Sequence, residues 1–227
     1  SEMCIRDSLT TDKNGQASVD GLYLGDYYVK EISPSVGYLA DETEHDLVCN
    51  YEGDLVAEVK RDCTSLEQVM KQPFQIIKAA NNGKTDADLL KGAGFTAYLE
   101  SSLTKKADGS YDFDSATPVV IGENGATEMF TDEKGYACSI ALPYGTYIVR
   151  ETTTPHNYTP VDDFTVRITE NNPNQPQTWR VLLDDEFEAK LKIIKQDDET
   201  KKPVLQKNTE FKIYDLDHKK YVEQVTC

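Results

Sequence analysis

No stretch of this 227-residue chain stays apolar for the length that a membrane-crossing helix needs. Basic residues are also scarce: 24 Lys and Arg stand against 40 Asp and Glu, a formal net charge of −16. Such a surface repels phosphate, which argues against a nucleic-acid partner. The three histidines, His45, His156 and His218, are scattered without HExxH spacing. The five cysteines are odd in number, irregularly spaced and without a CxxC pair, so they suggest neither a zinc site nor a disulfide framework. Gly92-Ala-Gly94 lacks the third glycine and the helix of a dinucleotide fingerprint. No loop has EF-hand spacing, and no pattern suggests a Ser-His-Asp triad. The expectation is a protein with no metal, no cofactor and no ordinary enzymatic site.

What the chain does contain is 13 tyrosines and 13 glycines among many Thr and Val, the composition of an all-β protein. Its organising stretch is Leu142-Pro-Tyr-Gly-Thr-Tyr-Ile-Val-Arg-Glu151. Strand alternation puts Tyr147, Val149 and Glu151 on one face and Ile148 and Arg150 on the other. A carboxylate on an apolar face is either exposed or, if buried, neutral or paired.

The stretch occurs twice. Leu22-Tyr-Leu-Gly-Asp-Tyr-Tyr-Val-Lys-Glu31 matches it at an offset of 120 residues, with Tyr38 matching Tyr158 and the turn Thr11–Gly15 matching Thr131–Gly135. Phe74-Gln-Ile-Ile-Lys78 repeats as Leu191-Lys-Ile-Ile-Lys195 at an offset of 117. One domain-sized period therefore runs through the chain. Residues 1–8 continue no strand pattern, look like a translated sequencing adapter and are set aside as an unstructured artefact. The expected domains are 9–71, the C-terminal part of one repeat; 72–188, one complete repeat; and 189–227, the N-terminal part of a third.

In the first repeat a short strand is expected at 17–19. His45–Cys49 is expected to form a hairpin with 55–63 around Gly53. Cys49 and Cys63 are out of register on its arms, which favours small buried thiols over a disulfide. Residues 65–72 read as a short helix or a linker. In the complete repeat, strands are expected at 74–78, 94–100, 136–142, 147–151, 164–168 and 179–183, with Cys138 as filler. Short strands between dense turn signals mean a sandwich or barrel.

The order Ile76-Ile-Lys78, then Gly92-Ala-Gly-Phe-Thr-Ala-Tyr98, then Leu142 to Glu151 resembles the SpaA-type and Cna B-type prealbumin-like domains of Gram-positive pilins and surface adhesins. The resemblance covers residues 9–227 and implies tandem Ig-like, prealbumin-like β-sandwich domains. It also implies an intramolecular isopeptide bond, in which a first-strand lysine amine joins an Asn or Asp on the last strand and the motif glutamate promotes the reaction. Carried over, Lys78 is the nucleophile and Glu151 the proton shuttle. The family usually offers Asn as acceptor, whereas the last strand here offers Asp184 and Asp185. Asp185 shares a face with Leu183, Val181 and Trp179, and Asp184 with Leu182 and Arg180. If the apolar face is the core face, Asp185 is the acceptor, with Asp184 second.

Glu31 and Lys195 hold the equivalent positions in the partial repeats. No Asn or Asp occupies 64–70, so no bond is expected in the first repeat. The resemblance implies a structural stalk repeat, extracellular and anchored to the cell wall, whose partners are neighbouring repeats of the same chain. It would be no enzyme beyond a single self-modification. One alternative is a module that binds a host extracellular-matrix protein or glycan through residues 104–119 or the Trp179 region. Another is an accessory domain of a secreted polysaccharide-degrading enzyme.

Overall fold

The computed structural model describes residues 8–82, 88–187, 191–205, 207, 209–216 and 219–222. The chain divides into two compact units, Ser1–Phe187 and Glu188–Cys227. The first contains β1 (Gly25–Val29), β2 (Tyr38–Leu39), β3 (His45–Cys49), β4 (Gln68–Val69) and β5 (Lys71–Gln72). These are followed by β6 (Gln75–Ala80), β7 (Gly94–Leu99), β8 (Thr104–Lys105), β9 (Tyr111–Asp112) and β10 (Glu128–Phe130). The unit closes with β11 (Tyr136–Cys138), β12 (Leu142–Pro143), β13 (Gly145–Thr153), β14 (Phe164–Ile168) and β15 (Arg180–Asp184). In the second unit β16 (Tyr214–Asp215) and β17 (Lys220–Tyr221) pair antiparallel, their tyrosine rings packed edge-on. Apart from two 3-10 turns, the regular structure among the described residues is all strand.

Residues 72–187 form a two-sheet sandwich. One sheet has the order β10-β7-β13-β14, the other β11-β6-β15. Phe74, Ile76, Phe95, Ala97, Ile121, Met129, Tyr147, Val149, Val166 and Ile168 fill the space between them. Burying these side chains supplies the dominant favourable term, at roughly 1.5–3 kcal/mol for each large apolar residue. β6 is the central strand of its sheet, antiparallel to β11 and parallel to β15. The first and last long strands of the sandwich therefore lie side by side.

The local geometry of the second motif recurs in the first. Asp12 caps its turn by accepting from the N–H groups of Asn14 and Gln16, as Asp132 does for Lys134 and Tyr136. Tyr27 Oη donates to the Tyr23 carbonyl, as Tyr147 Oη does to that of Pro143. β1 pairs with β3 as β13 pairs with β14, Tyr27 opposite Leu47 and Tyr147 opposite Val166. The backbone joins the two regions at Met70, whose N–H donates to the Gly37 carbonyl and whose carbonyl accepts from Tyr144 N–H.

Several local expectations change. Residues 17–19 and 55–63 form no strand, and Leu55 is fully exposed. β3 instead spends its hydrogen bonds on β1. Residues 65–72 are neither helix nor plain linker, since they contribute β4 and β5. Cys49 is half-buried, while Cys63 and Cys138 are exposed, so none of the three is a core thiol.

Candidate functional site

Lys78 reaches the interior by alternation. Phe74, Ile76 and Lys78 point inward from β6 and its approach, and all three are inaccessible to solvent. Its backbone is fixed on both sides: Lys78 N–H donates to the Gly135 carbonyl at 2.7 Å, and the Lys78 carbonyl accepts from Leu90 N–H at 2.9 Å. On the facing sheet β13 presents Tyr147, Val149 and Glu151 inward. β15 delivers Asp184, opposite Ala80 in the parallel ladder.

The three polar side chains meet. Lys78 Nζ donates to Glu151 Oε2 at 2.8 Å and to Asp184 Oδ1, and all three side chains are fully enclosed. The amine also lies 5.7 Å from the centre of the Phe95 ring. Glu151 is oriented by a second donor, the Val161 N–H, at 3.0 Å from the same Oε2. Glu151 Oε1 and Asp184 Oδ2 have no other partner. One proton taken up by Asp184 would bring the enclosed charge of one ammonium and two carboxylates to zero. Burial pushes the Asp184 carboxyl up from 3.8 to about 6; Lys78 opposes that shift, and Glu151 reinforces it.

Asp185, the residue expected to face Lys78, is on the surface. Its Oδ1 accepts from Asn81 Nδ2 at 2.7 Å, and its carbonyl accepts from Thr159 N–H at 2.9 Å. The parity of β15 is the reverse of the apolar-face expectation: Trp179, Val181 and Leu183 are 55%, 64% and 48% exposed, whereas Asp184 is buried. Trp179 instead packs on the outer side of the sheet against Tyr136, ring centres 5.6 Å apart. The inward face of β15 must meet a buried ammonium, so it carries the acid.

The equivalent positions lie elsewhere. Lys195, in the second unit, donates to Thr209 Oγ1. Glu31 accepts from Asp41 N–H at 2.5 Å, the counterpart of the bond from Val161 to Glu151. Glu67 lies close enough to Glu31 for the two carboxyls to shift one another, the Glu31 carboxyl up and the Glu67 carboxyl down. A search of 64–70 for Asn or Asp alone passes over that glutamate; a search for any side-chain carboxyl there finds it.

The fold and the buried triad define a class: a prealbumin-like β sandwich with a lysine, a glutamate and an aspartate enclosed between its sheets. A model of the SpaA prealbumin-like fold domain matches residues 2–62 and 73–180, and the chain belongs to that family. The first of the two matches begins inside the segment set aside as an artefact. Among solved structures, the Bacillus anthracis TIE protein is 27% identical at a TM-score of 0.51, over 78% of this chain and 28% of that one. This chain therefore spans little more than a quarter of that protein. The minor pilin of Streptococcus agalactiae is 16% identical at a TM-score of 0.43, over 82% and 71% of the two chains. The shaft pilin of Lactobacillus rhamnosus GG is 19% identical at 0.36, over 81% and 69%. No curated protein sequence matches the chain.

Proposed function

We propose that this chain is a section of a cell-surface stalk of the pilin or adhesin kind, and that residues 72–188 are a repeat locked by an amide bond between Lys78 and Asp184. The observation that carries the reading is the enclosed triad, in which one amine donates to two carboxyls with no solvent in contact. Proton transfer within the triad gives a neutral amine beside a protonated Asp184. The Nζ lone pair attacks Asp184 Cγ, the new N–C bond replaces a C–O bond, and the oxygen leaves as water with the acid proton and one amine proton. Glu151, held by Val161 N–H, hydrogen-bonds the acceptor and passes the proton between nitrogen and oxygen. The reaction occurs once per repeat, so the protein acts as a structural element and not as a turnover enzyme.

The position of the bond supports a load-bearing role. It links strands at the two ends of the repeat, 106 residues apart. By analogy with a disulfide, a loop of that size contributes about 5 kcal/mol through the unfolded chain. In this reading 9–71 and 189–227 belong to flanking repeats, and the chain works outside the cell, in the wall-attached layer.

Intact mass after full denaturation tests the proposal. The wild-type chain is expected one water lighter than its sequence, and folded Lys78→Ala and Glu151→Ala variants at full mass. A wild-type chain at full mass would remove the bond and leave an uncross-linked spacer.

A further inference from the structure

The outer face of the β10-β7-β13-β14 sheet is covered where an outward face would ordinarily be wet. Ile148 and Tyr98 are paired across β13 and β7 and lie outside the core between the sheets, yet both are buried. The excursion between β7 and β10 packs on this face. The Phe113 ring meets Tyr98 edge-on with centres 5.0 Å apart, and Tyr111 meets Phe113 at 6.3 Å. The β8–β9 hairpin that carries Tyr111 is tied down by Tyr111 Oη, which donates to Glu100 Oε1 at 2.5 Å.

Beside this cover opens a hollow of about 240 Å³, whose walls include Lys106, Tyr111, Phe113, Asp114, Arg150 and Asp163. Arg150 is its fixed point. The guanidinium lies 4.1 Å from the centre of the Phe113 ring, and its Nε donates to Asp163 Oδ1 at 3.2 Å. Among the described residues both Arg150 Nη groups are without a hydrogen-bond partner, and so is the Asp114 carboxylate. Stacking and the bond to Asp163 thus set the plane of the donor fork before any ligand arrives.

We propose that this hollow binds one neutral pyranose unit of a saccharide. Its walls carry two cations, Lys106 and Arg150, and two carboxylates, Asp114 and Asp163, so it offers donors and acceptors side by side with no net charge. Sugar hydroxyls match that, because each both donates and accepts. Neighbouring hydroxyls accept from the Arg150 fork and donate to Asp114, while the C–H face of the ring covers the accessible part of Tyr111. An acidic sugar would meet two carboxylates in a chain of net charge −16. A peptide side chain or chain end brings a single charge and leaves the opposite pair unmatched. The hollow is smaller than the roughly 300–1,000 Å³ of pockets for drug-sized ligands, which limits it to a single ring. It is open to solvent, so the rest of a saccharide chain can continue outward. Binding needs no covalent step, and its outcome is independent of whether Lys78 and Asp184 react.

The probes are methyl β-D-galactopyranoside, methyl α-D-mannopyranoside and methyl N-acetyl-β-D-glucosaminide, each titrated against the isotope-labelled full chain while its amide NMR signals are followed. Saturable shifts centred on the hairpin, Arg150 and Asp163 are expected with at least one of them. Tightest binding of the N-acetylglucosaminide would point to the glycan of a bacterial wall as the source, and tightest binding of either hexoside to a saccharide from elsewhere. Asp114→Ala and Arg150→Lys, each checked for folding in the same spectra, should weaken binding roughly tenfold or more, about 1.4 kcal/mol. The lysine keeps the charge and loses the planar fork. Absence of saturable shifts with every probe, shifts centred elsewhere, or either variant binding as well as wild type would overturn the proposal. So would tighter binding of the methyl glycoside of N-acetylneuraminic acid, an acidic sugar, than of all three neutral probes.

Discussion

Lys78 is buried with two carboxyls where one would balance its charge, and the excess acid is what would equip the site for the proposed amide bond. An isolated buried ion pair is held mainly by the cost of breaking it, about 3–5 kcal/mol when one partner is lost. Here burial raises the Asp184 carboxyl from its ordinary value of 3.8 to about 6, with Lys78 opposing the shift and Glu151 adding to it. The folded value lies above the unfolded one, so the unreacted folded chain holds a proton that the unfolded chain has released between those two pH values. The resulting stabilisation is full below pH 3.8 and lost as pH rises through 6. Once the amide has formed, Asp184 has no carboxyl to titrate. Urea midpoints of Lys78→Ala, which cannot form the amide, should therefore drop more than those of the matured wild type between pH 4 and pH 7. Burial and Glu151, the causes that raise the value, survive that substitution, and the opposing lysine is gone. Parallel midpoint curves for the two chains would contradict this assignment.

At the scale of the strand, β6 is held in place by a turn as well as by its neighbours. Gly135 has φ +63°, and a Cβ there would stand 2.3 Å from the Lys78 carbonyl oxygen. The glycine thus permits both the left-handed turn and the close approach that seats the lysine. Gly135→Ala is expected to cost about 2 kcal/mol or more, from the strained backbone and the displaced strand. It should also slow cross-linking, visible as a mixture of full-mass and water-depleted chains. A variant as stable as wild type that reacts completely would show that the approach is unimportant.

Strand periodicity made two of the three triad residues legible, because Lys78 and Glu151 each extend a run of inward apolar residues, Phe74 and Ile76 in one case, Tyr147 and Val149 in the other. It misplaced the third. On β15 the apolar residues Trp179, Val181 and Leu183 cover the outside of the sheet, Trp179 against Tyr136, and the inward face carries the buried Asp184. The rule that apolar faces point inward fails where the inward face has to meet a charge. Likewise the strands expected at 17–19 and 55–63 form no ladder, because pairing depends on a neighbouring strand that local sequence does not specify.

For the whole molecule, the decisive feature is that β6 and β15 are adjacent and parallel while standing at opposite ends of the repeat. Tension entering near residue 74 and leaving near residue 185 would cross directly at the bond, bypassing the rest of the sandwich. In single-molecule stretching, the Lys78→Ala variant should release the 106-residue segment between the two positions, roughly 350 Å at about 3.3–3.6 Å per residue. The cross-linked chain should give no extension step of that size from this repeat. Such a step in fully cross-linked chains would contradict the load path.

The most direct measurement is the intact mass of two folded single variants, Asp184→Ala and Asp185→Ala, beside wild type. The account predicts that Asp185→Ala loses one water as wild type does, while Asp184→Ala stays at full mass. Loss of water from Asp184→Ala, with Asp185→Ala at full mass, would move the acceptor to the surface residue and contradict the buried triad as the reacting centre.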